Sequence, residues 1–186
     1  FTKNFLDRLV EHPSILGRFN GIQKLEISLK NEGNAYTTIL EALPHLTSLE
    51  ALEIHADFEQ LPDELGNLTN LKKIKLTMPF LKEVPASIGK LKSLEEFTFK
   101  GDYSFGGDDH NTYLKDFNWL ADLKFLKELK LQNVGVEDLS EVVFPPTLNK
   151  IDLYGLDELT ALPKEMKNLP KLEKFKVASN RLETLP

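Results

Sequence analysis

Residues 61–76 read Leu-Pro-Asp-Glu-Leu-Gly-Asn-Leu-Thr-Asn-Leu-Lys-Lys-Ile-Lys-Leu. The last six positions carry apolar side chains at Leu71, Ile74 and Leu76, in the pattern Leu-x-x-Leu-x-Leu. The alternation at its end is typical of a short strand that buries one face. The same pattern recurs along the chain, in copies that start at residues 22, 49, 71, 94, 126, 148 and 172.

The spacing of these copies indicates an internal repeat. Consecutive starts differ by 27, 22, 23, 32, 22 and 24 residues. A second apolar series lies three and six residues before each start, where thirteen of the fourteen positions carry a sizeable apolar side chain and the exception is Pro145. One repeat cannot bury these residues alone, so the period predicts a solenoid in which each repeat stacks a strand and a returning segment on its neighbours.

The returning segments carry a more specific motif. Residues 61–71 and 84–91 resemble the Leu-Pro-x-x-(Leu/Ile)-Gly-x-Leu-x-x-Leu units of bacterial and Ras-group intracellular leucine-rich-repeat proteins, and Leu162-Pro163 and Leu185-Pro186 restart that unit. The resemblance covers about residues 16–186. It implies an α/β leucine-rich-repeat solenoid with a curved parallel sheet on its concave side. Short helices, 3-10 turns and extended segments are implied on the convex side.

One position departs from the family pattern. The family usually has asparagine eight residues after each start, where the amide satisfies backbone groups of neighbouring turns. Here only Asn180 occupies that position. We therefore expect irregular bends after the strands in place of a uniform ladder. Gly66 and Gly89, five residues before their starts, indicate places where the chain turns tightly back toward the strand.

The domain organisation follows from the same phase. We predict a single domain over residues 1–186, in which residues 1–21 are either an N-terminal cap or a partial repeat. Apolar stripes predict helices near residues 4–11 and 35–43. The 32-residue interval predicts an insertion loop at residues 101–113. The last residues reproduce the middle of a repeat, so we expect the chain to be a piece of a longer protein.

Composition argues against several functions. The formal net charge is -6 and the pI is about 5.3, which disfavours nucleic-acid binding. Cysteine is absent, so disulfides and thiol chemistry are excluded. No apolar run approaches the roughly 18 residues that span a membrane, so no membrane insertion is predicted. The four histidines are scattered, and neither Gly-x-Ser-x-Gly nor His-Glu-x-x-His occurs. These features predict no enzyme, no metal site and no cofactor.

The candidate site is the outward side of the predicted strands. Its residues are Glu53, His55, Lys73, Lys75, Thr77, Glu96, Thr98, Lys100, Glu128, Lys130, Gln132, Lys150, Asp152 and Tyr154. The insertion loop adds three aromatic residues: Tyr103, Phe105 and Tyr113. One interpretation is a solvated face whose charges pair between strands, as Glu53–Lys75, Lys73–Glu96, Glu128–Lys150 and Lys130–Asp152. The other is a polar concave surface that binds a partner.

These observations predict a non-catalytic scaffold for protein–protein recognition, which binds a protein partner through its concave face. The alternative is a targeting segment of a larger multidomain bacterial effector or surface adhesin, whose activity lies elsewhere. Glycan binding is disfavoured because the strand positions carry too few aromatic side chains. A calcium site in the insertion loop is disfavoured because the spacing of its aspartates matches no EF-hand.

Overall fold

The computed structural model describes residues 21–29, 42–101, 114–178 and 181–182. This part of the chain forms one sheet of seven parallel strands, and the order of the strands in the sheet follows the chain. The strands are β1 Lys24–Leu29, β2 Ala51–Ala56, β3 Lys73–Thr77, β4 Glu96–Lys100, β5 Glu128–Gln132, β6 Lys150–Tyr154 and β7 Lys174–Ala178. Each strand begins two residues after a predicted start, so the predicted sheet is confirmed.

The inner side of the sheet forms the core. Successive strands pair in register, so that Leu52, Ile74 and Phe97 lie next to one another in one row. All inner side chains of β2 to β6, apart from Ala56 at the end of β2, are at most 2% exposed. Burial of one such side chain contributes about 1.5–3 kcal/mol. Because each row crosses all the repeats, that burial depends on the neighbouring repeats being in place.

Five of the six returning segments between the strands contain a short 3-10 turn, and the described return between β5 and β6 contains none. The turns lie at Leu43–His45, Asp63–Asn67, Ala86–Lys90, Asn118–Asp122 and Lys164–Asn168. Pro62, Pro85 and Pro163 each occupy the position before a turn, where an extended φ and ψ precede the helical residues. A proline there loses no helical hydrogen bond and keeps the turn from extending toward its N-terminal side. The predicted 3-10 turns are thus confirmed.

Glycine in these turns serves close packing between repeats. A Cβ atom at Gly66 would lie only 2.4 Å from the carbonyl oxygen of Ser87 in the next returning segment. Gly89 is in a similar position, with a hypothetical Cβ 3.2 Å from the carbonyl oxygen of Trp119. Both glycines lie in 3-10 turns, where the chain was predicted to turn. Their φ angles are not positive, and the physical requirement is the approach of a neighbouring backbone.

The hydrogen-bonded ladder continues for one residue past four of the strands. The residue that follows each of β3 to β6 donates its backbone N–H to the next strand, as Asn133 does to the Tyr154 oxygen at 2.9 Å and Gly155 to the Ala178 oxygen at 3.0 Å. These bonds come one residue before the family's asparagine position. Two of the four donors, Asn133 and Gly155, have positive φ angles, so the bends after β5 and β6 are irregular, as expected.

Several predicted features fall outside the described residues. These are the N-terminal segment 1–20, the helix near 4–11, most of the helix near 35–43, Asn180 and all but Gly101 of the insertion loop. Ala42 and Leu43, at the end of the second predicted helix, are completely buried. Within the described part, no helix is long and apolar enough to cross a membrane.

Candidate partner-binding surface

The outward side chains of β1 to β7 form a continuous surface, which we call the strand face. It comprises the first, third and fifth residue of each strand, and all fourteen strand residues of the predicted site lie on it. None of these fourteen is buried. The structure thus brings together the residues chosen from the sequence. The loop residues Tyr103, Phe105 and Tyr113 lie outside the described residues.

A cluster around Glu53 occupies the amino-terminal half of the strand face. The Lys75 ammonium on β3 donates a hydrogen bond to Glu53, and His55 Nε2 lies 2.7 Å from Glu53 Oε1. The hydrogen bond from Lys75 holds the pKa of the Glu53 carboxyl below its ordinary value; desolvation opposes this shift and the contact with His55 reinforces it. Glu53 is therefore fixed as a carboxylate by two neighbours.

A second pair joins β3 to β4. The Lys73 ammonium donates to Glu96 Oε2, and this hydrogen bond raises the pKa of Lys73 above its ordinary value. The two residues are directly opposite in the register. The predicted pairs Glu53–Lys75 and Lys73–Glu96 are both present.

Glu128 on β5 is the centre of a third cluster. Lys150 Nζ lies 3.1 Å from both of its carboxylate oxygens, and Lys130 Nζ lies 3.1 Å from Oε2. Partial burial alone would raise the pKa of Glu128, but the hydrogen bonds from Lys130 and Lys150 outweigh it and leave the pKa lowered. The predicted pair Glu128–Lys150 is present.

The predicted pair between Lys130 and Asp152 is wrong, although the two residues are opposite in the register. Lys130 turns to Glu128 on its own strand. Asp152 instead accepts a hydrogen bond from Gln132 Nε2 at 3.0 Å, and Lys176 Nζ lies 3.8 Å from its other oxygen. A lysine side chain is long enough to reach either carboxylate. Glu128 is the more exposed of the two and also pairs with Lys150.

The ion-paired carboxylates of the strand face are less exposed than the lysines that pair with them. Glu53 is 23% exposed and its partner Lys75 is 40% exposed. The same order holds for Asp152 at 16% and Lys176 at 49%. A molecule that approaches these ion pairs therefore meets more of the ammonium groups than of the carboxylates.

Tyr154 is the one Phe, Tyr or Trp among the outward side chains of the seven strands. Its side chain is exposed, and the Lys176 ammonium lies 4.7 Å from the centroid of its ring. An exposed tyrosine with a cation above it offers apolar area, a hydroxyl and charge at one point.

An open groove that the sequence did not predict lies beside the return from β5. It has a volume of about 240 Å³ and is lined by Leu114, Lys115, Gly135, Glu137 and Asp138. Asp138 Oδ1 accepts the backbone N–H of Ser140 at 2.6 Å, and this bond lowers the pKa of Asp138. The carboxylate is thus used to hold a turn. Across the described residues, no three His, Asp or Glu side chains are grouped to hold a metal ion.

A parallel sheet ordered along the chain, 3-10 turns on the returning side and a repeat of 22 to 24 residues define the leucine-rich-repeat solenoid. This chain has that fold. No family model matches the chain.

Comparisons with known proteins point to the same fold. A probable inactive serine/threonine-protein kinase, roco10 of Dictyostelium discoideum, is 24% identical over 154 residues, which cover 81% of this chain but 6% of that protein. Internalin C2 of Listeria monocytogenes superposes with a TM-score of 0.53 at 18% identity, covering 95% of this chain and 85% of the internalin. The leucine-rich-repeat ectodomain of the Arabidopsis receptor kinase HAESA, in complex with a peptide hormone, gives a TM-score of 0.53 at 20% identity and covers 91% of this chain and 31% of its own.

Proposed function

We propose that this chain is a non-catalytic recognition scaffold that binds a protein partner on its strand face. The observation that carries this proposal is the strand face itself. Seven strands spaced about 4.8 Å apart give it a width of about 29 Å, which an extended segment of about nine residues would cross. Its backbone is rigid, because every strand from β2 to β6 is hydrogen-bonded on both sides.

The chemistry of the strand face fits binding better than catalysis. Most of its charged side chains form ion pairs with one another. Of the two histidines within the described residues, His45 lies in a 3-10 turn and His55 is on the strand face. The HAESA ectodomain, which has the same fold, is in complex with a peptide hormone. That complex supports a protein partner here.

The alternative keeps the same surface. In it, the chain is a targeting segment of a larger multidomain effector or adhesin, and the strand face selects the target while chemistry occurs elsewhere. The roco10 kinase, of which this chain spans about 6%, is an example of a longer protein with a matching region. Both versions require a partner on the strand face, so one experiment tests that surface.

The test places a photo-crosslinking amino acid at Thr98, which lies between Lys75 and Lys130 in the register of the strand face. The matched control carries it at Asn67, an exposed residue of the 3-10 turn Asp63–Asn67. In a cell extract, adducts should form at Thr98 in excess over Asn67, and mass spectrometry identifies the protein. The purified partner is then titrated against the wild-type chain.

Charge reversal completes this test. The double variant Lys75→Glu with Lys130→Glu should lower the affinity for the partner about tenfold. Both ammonium groups are removed and replaced by negative charges, which repel an acidic surface. Circular dichroism checks that the fold is intact, and Thr98→Arg provides a second variant that blocks the surface without touching an ion pair. Adducts confined to Asn67, or an affinity that survives both variants, would exclude the strand face as the binding surface.

A further inference from the structure

We infer that the partner docks an acidic extended segment at the carboxyl-terminal side of the strand face. The surface that receives it, which we call the lysine patch, consists of Lys150, Lys174, Lys176 and the adjacent Tyr154. This inference rests on the proposed function and specifies the chemistry of the partner. Four observations support it: the charge of the strand face, the lower exposure of its ion-paired carboxylates, a lysine without an ion-pair partner among the described residues and the position of Tyr154.

The charge of the strand face is opposite to that of the chain. The outward positions of the seven strands hold eight lysines and five carboxylates, a formal charge of +3, whereas the whole chain has -6. Random placement of the surface charge would give this face the sign of the whole. A cationic surface on an acidic protein attracts and orients an acidic partner.

The excess is concentrated where β6 meets β7. Lys150 and Lys174 are directly opposite in the register, an arrangement of like charges that destabilises a sheet. Lys150 is compensated by Glu128, but Lys174 is exposed and has no ion-pair partner among the described residues. Lys176 is 3.8 Å from Asp152, too far for a hydrogen bond. Carboxylates from a partner would relieve this repulsion.

The spacing of these lysines selects the form of the segment. Lys174 and Lys176 are two residues apart on β7 and point to the same side, so their Cα atoms are about 7 Å apart. Acidic residues at positions i and i+2 of an extended segment have the same spacing. Tyr154 lies beside them and supplies the aromatic contact that anchors many interfaces.

A nucleic acid would also present anions, but the chain disfavours it. A polyanion many residues long would pass from the lysine patch onto the rest of a molecule whose net charge is -6. A short acidic segment contacts only the cationic part. The strand face is also a hydrogen-bonded protein sheet whose i, i+2 side-chain spacing matches that of another extended polypeptide.

The test uses a fluorescent eight-residue peptide of alternating glutamate and alanine. Two probes serve for comparison: the same peptide with glutamine in place of glutamate, and an eight-nucleotide oligothymidylate. Fluorescence anisotropy with the full chain should show binding of the glutamate peptide alone, and the affinity should fall as salt is raised.

Two variants with the same change in charge locate the binding. The double variant Lys174→Glu with Lys176→Glu should lower the affinity for the glutamate peptide about tenfold or more. Lys90→Glu with Lys167→Glu, both on exposed residues of 3-10 turns, should change its affinity less than about twofold. Lys174→Gln with Lys176→Gln should give an intermediate loss, which guards against an effect of misfolding by the reversed pair.

Three outcomes would overturn the inference. The glutamate peptide fails to bind at millimolar concentration, both reversed pairs weaken it equally, or oligothymidylate binds more tightly. None of these results decides the proposed function. If the Thr98 adducts still depend on Lys75 and Lys130, the strand face is the binding surface and only the acidic chemistry is wrong.

Discussion

Asn133 and Gly155 show how single residues adapt the repeat to its local geometry. Both have positive φ, 53° at Asn133 and 67° at Gly155, and both directly follow a strand. A Cβ atom at Gly155 would lie 2.4 Å from Asn133 Oδ1. The asparagine side chain of one turn therefore fills the space that the glycine of the next turn leaves open.

This contact yields a prediction for Gly155→Ala. The new methyl group meets Asn133 Oδ1 while the backbone must keep a left-handed φ, so the free energy of unfolding should fall by about 1–3 kcal/mol. Gly21→Ala is the control, because nothing lies within 4 Å of its Cβ position and its φ is not positive. Urea titrations measure both. A loss at Gly155 no greater than that at Gly21 would contradict the close contact.

The sequence predicted which way strand side chains point but not all of their partners. Because side chains alternate along a strand, the sequence alone places Ile74 on the inner side of the sheet and Lys73 and Lys75 on the outer side. The choice of Lys130 between Glu128 and Asp152 depends on side-chain conformations that differ by well under about 1 kcal/mol at an exposed site. Asn133 was missed because it stands seven residues after its start, one position before the family's asparagine.

The strands and turns could be predicted because every repeat carries the same apolar pattern. Seven copies of one apolar pattern fix the register, since a shift by one residue would expose every inner side chain. The prolines before Asp63–Asn67 and Ala86–Lys90 keep these turns from extending toward their N-terminal sides. The extra ladder bonds after the strands could not be predicted, because backbone N–H groups such as that of Gly155 make their bonds whatever the side chain is.

The ion pair between β2 and β3 predicts a pH dependence of stability. The pKa of Glu53 is lower in the folded chain than its ordinary value of 4.5, so its contribution is present above about pH 4.5 and is lost as pH falls through the folded pKa. Lys75→Ala removes the hydrogen bond that causes the shift. At pH 7 it should destabilise the chain by no more than about 1 kcal/mol, because Lys75 is largely solvated.

The measurement compares Lys75→Ala with the wild type in urea titrations between pH 7 and pH 3. The difference between them should shrink toward acid pH as Glu53 is protonated. Lys82→Ala is the matched control, since Lys82 and Glu59 form a pair that is well exposed on both sides. A difference that stays constant with pH would show that Lys75 stabilises by packing alone.

Each repeat of the solenoid contacts only the adjacent repeats, so local stability should vary along the sheet. β4 lies between β3 and β5, and its inner residues Phe97 and Phe99 are fully buried. The inner residues of β7, Phe175 and Val177, are only partly buried, and no residue of the turn Lys164–Asn168 is buried. Local opening of β7 therefore exposes less apolar surface than opening of β4 and costs less free energy.

Hydrogen exchange followed by mass spectrometry tests this gradient. Amides of β4 should exchange at least about tenfold more slowly than amides of β7, because they require opening on both sides. The measurement is made at two protein concentrations tenfold apart, and β3, an interior strand like β4, serves as the internal reference. Equal protection of β4 and β7 at both concentrations would contradict a gradient set by burial. Protection of β7 that rises with concentration alone would show that a second copy of the chain covers its partly exposed side.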